Sequence, residues 1–403
     1  MSSIKEAGEA VILCAGKSTR TYPLTLRKPK PMLKVAGRRV IEYLLSQLIG
    51  LVSRAVIVIG FEGRQIVEAL GDRFFDVELT YVEQAEQRGT GDALLCAEEH
   101  VGERFILLNG DDLLKHHAIR ALKRHKICVL AAPHEQPWRF GVLSVDGEFV
   151  RAIIEKPRDA PAGSLVSTGA YALTRVVFDL LREIEPSDAQ ELMLTQVIPK
   201  LSSLGLRYEV TEDGWMPMTY PWDMLRCAKW LMDELKEQCI SGWLGKGVKV
   251  FGAVEIGSDC VVGDEVVIVG PSVLGSRVSV GERSKLVRCA IGDDVSVGQE
   301  CELEECVIGD GVRIGNSVRL KRSVIGDGVV IGDGVLTHTR QSHGGNVLSL
   351  VKGEWVDTGF EELGAFVGDG AVIEDGCKLM PGVKVWANVT MPSNSVVDAD
   401  AFE

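Results

Sequence analysis

The 403-residue sequence contains no Cys-x-x-Cys pair, no histidine-rich spacing and no apolar run that approaches the length of a membrane span. Its ten cysteines are scattered, so they read as small buried hydrophobes in a reducing compartment, not as a disulfide frame or a zinc site. Residues 1–9 are polar and acidic, unlike a secretory leader. No membrane segment is expected, and the expected location is cytoplasmic. Basic residues form no tract after the first loop, and 44 Lys and Arg against 57 Asp and Glu leave a net charge of −13. That balance argues against nucleic acid as a partner, and any anionic ligand has to be met by local cations. Two familiar phosphate-binding patterns are also missing: no P-loop closes with Gly-Lys-Ser/Thr, and no GxGxxG follows a strand.

What is present is organised around residues 10–33, AVILCAGKSTRTYPLTLRKPKPML. An apolar strand at 10–13 runs into the small turn Cys14-Ala15-Gly16 and a polar loop carrying Lys17, Arg20, Arg27, Lys28 and Lys30. A buried strand feeding such a turn sets backbone N–H groups at the carboxyl edge of a sheet, where phosphates bind. Pro29 and Pro31 stiffen the chain around Lys30. Apolar runs at 55–59, 77–82, 105–108 and 128–132 alternate with helical spacing at 40–49, 65–70 and 118–123. That alternation predicts an α/β fold with a Rossmann-like, doubly wound, mostly parallel sheet and ligands at the carboxyl ends of its strands. Length alone implies two domains; we expect one over 1–240 and another over 241–403.

The loops after these strands carry the candidate chemistry. Residues 84–91, QAEQRGTG, offer the Gln84 amide to a base edge and glycines that let backbone approach a flat ring. Asp111, after Asn109-Gly110, is a hard oxygen donor at a strand end, suited to Mg²⁺. The stretch 10–33 resembles the signature of sugar-nucleotide pyrophosphorylases, nucleotidyltransferases that join a sugar 1-phosphate to an NTP with release of pyrophosphate.

The resemblance implies roles residue by residue. Ala15, Gly16 and Lys17 would hold the nucleotide, Arg20 the leaving pyrophosphate and Lys30 a phosphate. Gln84, Gly89 and Thr90 match the base-reading segment of uridylyl- and thymidylyltransferases, which favours UTP or dTTP. Asp111 would hold Mg²⁺. Gly141, Glu155 and Lys156 would meet the sugar 1-phosphate, and Ser167 stands where the family's sugar-contacting strand has Asn. Ser18 replaces a second loop glycine. Many members carry a metal-binding Asp two residues after the Trp that matches Trp215; that place is Pro217, which leaves nearby Asp223 as the second ligand or as a cap on a helix over 224–237.

From about residue 250 the pattern changes. Ile256, Leu274, Ile291, Ile308 and Ile325 each precede Gly, and within each interval aliphatics recur every six residues or so. This is a hexapeptide repeat, the signature of a parallel β-helix, with Gly and Asp/Asn after the aliphatic expected to supply turns with positive φ. By resemblance such domains are left-handed and trimerise, so a homotrimer or a multiple of it is expected. The repeat is interrupted at about 337–364, where His338 and His343 lie. In acetyltransferases of this fold a histidine on such an excursion acts as base on an amino sugar, with acetyl-CoA as co-substrate. His343, between glycines, is the candidate here, although neither histidine falls on the family motif without a shift. The whole layout resembles an archaeal-type bifunctional nucleotidyltransferase and amino-sugar acetyltransferase. The alternative is a non-catalytic assembly protein of the same two-domain architecture, to which Pro217 and Ser18 lean.

Overall fold

The computed structural model describes residues 8–184 and 191–402. Residues 1–7, on which most of the leader reading rests, lie outside the described residues. The chain forms two compact units. One comprises the described residues of Met1–Lys17, with Pro29–Met32 and Val40–Pro217; the other comprises Ser18–Lys28, Leu33–Arg39 and the described residues of Met218–Glu403.

The first unit is a sheet with helices on both faces. Its strands and helices are β1 (Gly8–Cys14), α1 (Val40–Leu48), β2 (Val52–Ile59), α2 (Gly63–Leu70), β3 (Val77–Glu83), α3 (Thr90–Cys96), β4 (Arg104–Asn109), α4 (His116–Leu122), β5 (Cys128–His134), β6 (Gly141–Asp146), β7 (Phe149–Glu155), β8 (Ser164–Thr174), α5 (Val176–Arg182), α6 (Ile198–Ser203) and β9 (Arg207–Val210). The order across the sheet is β6-β7-β9-β5-β8-β4-β1-β2-β3, closed by the short strand Arg73–Phe74. β3, β2, β1 and β4 run parallel and form the doubly wound part. β8 is antiparallel to both β4 and β5.

Residue alternation explains why β1 is apolar from Ala10 to Cys14. Ala10, Ile12 and Cys14 pack with Ile41, Leu44, Leu45 and Ile119 on one face. Val11 and Ala15 pack with Leu94, Phe178 and Leu181 on the other. A strand covered by helices on both sides has no solvent face, so its sequence loses the in–out alternation.

The second unit contains a left-handed parallel β-helix of three sheets, each of eight parallel strands. Each coil sets one aliphatic per side inward, and these stack in register: Ile256 beside Leu274, Leu274 beside Ile291, Ile291 beside Ile308. All four are essentially buried, and burying each such side chain stabilises by about 1.5–3 kcal/mol. A second inward position is filled by small residues, including Cys260, Cys289, Cys301, Cys306 and Cys377. The ten cysteines are free, and these five serve as packing.

The expected origin of the turns needs correction. Glycine right after the aliphatic is required by close stacking, not by positive φ: a Cβ on Gly309 would lie 2.4 Å from the Asp327 carboxylate and 2.8 Å from its backbone N. The left-handed position falls two residues later, at Asp259, Glu265, Arg277, Asp294, Gly311 and Gly328 among others. Between the two sits the residue whose side chain reaches the preceding coil. At one corner the Asp310, Asp327 and Asp369 carboxylates accept hydrogen bonds of 2.9 Å from the backbone N–H groups of Asp293, Asp310 and Asp327. At a second corner Asn316, Asp333 and Asp375 do the same for Gln299, Asn316 and Asp333.

The coil is interrupted between Leu336–Thr337 and Phe366–Val367. The excursion folds into a hairpin of Leu348–Val351 and Glu354–Asp357. Preceding the coils, α7 (Asp223–Met232) is shorter than the helix expected over 224–237. Its end tightens into shorter-range bonds, Glu234 N–H to Leu231 O and Leu235 N–H to Met232 O, before the first coil strand Cys239–Ile240. Among the described residues no helix is long and apolar enough to cross a membrane.

Candidate active site

In the first unit the carboxyl ends of β1, β2 and β4 are tied to one another. Gly110 N–H donates to Leu13 O at 2.9 Å, and Phe61 N–H donates to Ala15 O at 3.2 Å. The strand ends approach so closely that side chains are excluded: a Cβ on Gly110 would lie 2.3 Å from Cys14 Sγ, and one on Gly60 2.7 Å from Ala15 O. Gly16 is different. It is exposed, and a Cβ there would meet no atom within 4 Å. Packing among the described residues therefore does not demand glycine at 16. Lys17 beside it is exposed.

Lys30 and Asp111 come together. Lys30 begins the short helical turn Lys30–Met32, and its buried ammonium lies 2.8 Å from Asp111 Oδ2. The Asp111 side chain is 35% exposed. Its neighbour Asp112 accepts a bond from the Trp215 indole at 3.3 Å. Trp215–Met216 pairs antiparallel with Leu114–Leu113, so continuing the register sets residue 217 opposite Asp112 and one residue from Asp111. Pro217 stands at that place and offers no side-chain oxygen. Asp223, expected as a second ligand or as a helix cap, is engaged at the start of α7. It is buried, Oδ2 accepts the N–H groups of Thr219 and Tyr220 at 2.9 Å each, and Oδ1 accepts from Arg226 at 2.8 Å. It locks the entry to α7. Among the described residues no three His, Cys, Asp or Glu converge as a self-sufficient metal site.

Gln84 is buried, and its amide nitrogen donates to Gly89 O at 3.1 Å and to Asp92 Oδ2 at 2.7 Å. Both amide hydrogens thus hold the 84–92 loop, so Oε1 is what the side chain can offer a base. Gln87, absent from the sequence reading, donates to Ala15 O at 3.1 Å and ties this loop to the β1 turn. Gly89 has φ +103, and a Cβ there would lie 2.4 Å from Leu192 O. Thr90 accepts the Leu194 N–H at 3.0 Å, a buttress and not a helix cap.

β8 carries an irregularity between Ser167 and Tyr171. Gly169, at φ +76, makes room there for Asn109, whose Nδ2 would lie 2.2 Å from a Cβ at 169. Ser167 Oγ lies 3.1 Å from the Tyr171 hydroxyl. Burial pushes the Tyr171 phenol up to about 12, with the Ser167 bond opposing the shift. Gly141 is paired with Glu155 across the β6–β7 hairpin, and a Cβ on it would meet Ile153 at 2.6 Å. Glu155 and Lys156 are exposed, and Lys156 holds φ +46 with its N–H on Phe140 O at 3.0 Å.

Arg20 lies on Ser18–Lys28, in the second unit, and is exposed. Ser18 adopts φ 50, ψ 45, the left-handed conformation natural to the family's glycine. Its carbonyl accepts from Thr21 N–H and from the Thr25 hydroxyl, both at 2.9 Å. The other cations of this stretch turn to the β-helix. Lys28 bridges Asp327 and Asp369, the latter at 3.0 Å, and Lys34 bridges Asp293 at 2.9 Å and Asp310 at 2.6 Å. Arg27 donates to Asn388 at 3.0 Å. Composition gave no hint of these partners; the 17-residue recurrence of Gly-Asp was the available signal. On the excursion, His343 is exposed, with Nδ1 2.9 Å from Gly344 O.

A family model described as nucleotidyl transferase matches residues 9–247, and one described as the GMPPB C-terminal domain matches residues 246–341. The bifunctional protein GlmU of Methanococcus maripaludis is 31% identical over 258 residues, 63% of this chain and 61% of that protein. The UTP–glucose-1-phosphate uridylyltransferase AglF of Haloferax volcanii is 32% identical over 237 residues, 56% of this chain and 97% of that protein. The low-salt glycan biosynthesis nucleotidyltransferase Agl11 of the same organism is 29% identical over 262 residues, covering 62% and 72%. The chain spans about three fifths (61%) of the length of the first of these relatives.

Proposed function

The chain belongs to the nucleotidyl transferase family, and from that premise we propose that it makes an NDP-sugar and pyrophosphate from a sugar 1-phosphate and an NTP. The observation that carries this reading is the Lys30–Asp111 pair at 2.8 Å, and an exposed glycine at 16 that packing does not require supports it. A phosphate oxygen of the sugar attacks the α-phosphorus, the bond from that phosphorus to the β-phosphate bridge breaks, and pyrophosphate leaves. No covalent enzyme intermediate is needed. Backbone at Ala15 and Gly16 and the Lys17 ammonium bind the triphosphate, and Arg20 and Lys30 hold its charge in place. Lys156 neutralises the sugar phosphate, while Gly141, Glu155 and Ser167 orient the sugar. Ser167 is shorter than Asn and is already bonded to Tyr171.

Asp111 fits Mg²⁺ as a single protein carboxylate. Oδ2 meets Lys30, Oδ1 is left for a ligand, and the partial exposure suits an ion that keeps waters and shares phosphate oxygens. When bound, Mg²⁺ supplies neutralisation of the charge that collects on the phosphates. With its donors committed, Gln84 presents an acceptor, which complements the N3–H of uracil or thymine; UTP or dTTP is the proposed nucleotide. The name of AglF, a UTP–glucose-1-phosphate uridylyltransferase, leans the same way.

Pyrophosphate release measured over a panel of NTPs and sugar 1-phosphates tests the reading. Turnover of at least one pair with Mg²⁺ is expected, lost in Asp111→Asn while circular dichroism stays unchanged. Nucleotide binding without turnover of any pair would establish the non-catalytic alternative. A second activity, acetyl transfer from acetyl-CoA to an amino-sugar 1-phosphate with His343 as base, is favoured by the exposed ring of His343 and by the word bifunctional in the name of the Methanococcus relative. Mass spectrometry of products from glucosamine 1-phosphate with acetyl-CoA, before and after His343→Ala, decides it.

A further inference from the structure

The β-helix carries two columns of side chains that bond coil to coil in the same way, yet among the described residues only one is met by lysines. At the first corner Asp293 and Asp310 receive Lys34, and Asp327 and Asp369 receive Lys28. At the second corner Asp333 and Asp375 perform the same coil-to-coil bonding without a lysine. Coil stability therefore explains the aspartates at both corners but not the lysines at one. The lysines belong to Ser18–Lys28 and Leu33–Arg39, the segments that flank the Pro-Lys-Pro turn. Lys28 and Lys34 stand six positions apart, and each bridges two successive aspartates of the column. Both side chains are largely covered, at 11% and 19% exposure.

Other contacts follow the same track. A Cβ on Gly37 would touch Val273 at 3.4 Å, one on Gly368 would touch Pro23 at 3.1 Å, and Arg27 bonds Asn388. The segment is thus held along one edge of the coils, from the turn near Val273 to that near Asn388. Arg20 is carried by this segment and is itself exposed.

We propose that Lys28, with Lys34, is a positioning residue: through the Asp327–Asp369 and Asp293–Asp310 pairs the β-helix holds the segment Ser18–Lys28, which carries Arg20. This rests on the nucleotidyltransferase reading for what Arg20 does, but the clamp itself does not. A loop that is competent only part of the time lowers apparent affinity by that fraction. Releasing the clamp therefore raises KM for the NTP more than it lowers kcat.

The test uses the full chain and the variants Lys28→Ala, Lys28→Arg, Asp327→Asn with Asp369→Asn, and Asp333→Asn with Asp375→Asn. Expected is a KM for NTP raised about tenfold in Lys28→Ala and in the 327/369 pair, with kcat within about threefold. Lys28→Arg restores most of it, and the 333/375 pair leaves KM unchanged. Amide hydrogen exchange over residues 18–28 is read in the same proteins and needs no turnover; it is expected to quicken in Lys28→Ala and stay slow in Lys28→Arg. Unchanged KM and unchanged exchange in Lys28→Ala overturn the proposal, as does an equal rise in KM from the 333/375 pair. Should the wild type turn over no substrate pair, the enzymatic reading fails by itself and exchange alone decides the clamp.

Discussion

Pro217 is a single residue with a measurable consequence. It stands where the pairing of Trp215–Met216 with Leu113–Leu114 leads, beside Asp112 and next to Asp111. Asp223, the nearby alternative, has both carboxylate oxygens bound within its own helix entry. A single-carboxylate site binds Mg²⁺ through phosphates and water and is correspondingly weak without nucleotide. We expect Pro217→Asp to lower the Mg²⁺ concentration for half-maximal pyrophosphate release several-fold, read from a metal titration at fixed NTP. Ser18 gives a second expectation at this scale. A non-glycine residue in the left-handed region costs about 1–2 kcal/mol. Ser18→Gly should therefore raise stability or leave it unchanged, measured by thermal melting, with turnover retained; a clear loss would mean that the Ser18 side chain has a partner of its own.

Glu362 shows how a residue on the excursion feels pH. Hydrogen bonds from Lys321 at 2.9 Å and Arg340 at 2.7 Å hold its carboxyl down to about 2. A depressed carboxylate contributes stability that is complete above its unfolded value, about 4.3, and is lost as pH falls toward the folded one. The gap in melting temperature between wild type and Glu362→Gln should be full at pH 6, shrink below about pH 4 and close near pH 2.

Among the elements, the coil turns separate two demands that sequence alone merged. Gly309→Ala drives a methyl into Asp327 and the adjoining backbone, whereas a Cβ at Gly311, two residues on at φ +66, meets nothing. Equilibrium unfolding should show the first costing about 1–3 kcal/mol through forced separation of coils, and the second about 1–2 kcal/mol through backbone conformation. An inverted order would mean that the coils separate more easily than their spacing suggests. The six-residue period was legible because every coil repeats one chemical request, an inward aliphatic, and repetition makes a weak signal strong. The strands of the α/β unit were legible for a related reason, since residues 10–13 of β1 and 55–59 of β2 are covered on both faces and read as unbroken apolar runs. The end of α7 was not, because residues 233–237 keep helix-forming side chains while the chain turns into the first coil.

At the scale of the molecule, the site was legible where chemistry is local and illegible where it is shared. Asp111 could be singled out in advance because it follows a strand whose type was plain, and Lys30 because two prolines frame it; that the two bond each other was not foreseen. Nor were the bonds of Lys28 and Lys34, since their partners lie 259–341 positions away and stand among dozens of similar acids. The hexapeptide fold leads us to expect a trimer. Sedimentation equilibrium should give about three times the 43.8 kDa chain mass or a multiple of it; a monomer at micromolar concentration would refute that expectation.

The interruption at 337–364 has a consequence of its own. Leu363 N–H bonds Thr339 O at 2.9 Å, and Asp327 N–H bonds Asp369 across 42 positions as readily as Asp310 bonds Asp327 across 17. The coils close beneath the excursion as though it had no length. Yet the excursion is not loose baggage: Val347, Ser349 and Leu363 are buried, the Ser349 hydroxyl donates to Gly382 O at 2.9 Å, and the Lys384 ammonium donates to Leu350 O, so what varies there must keep these few anchors while the column below stays in step.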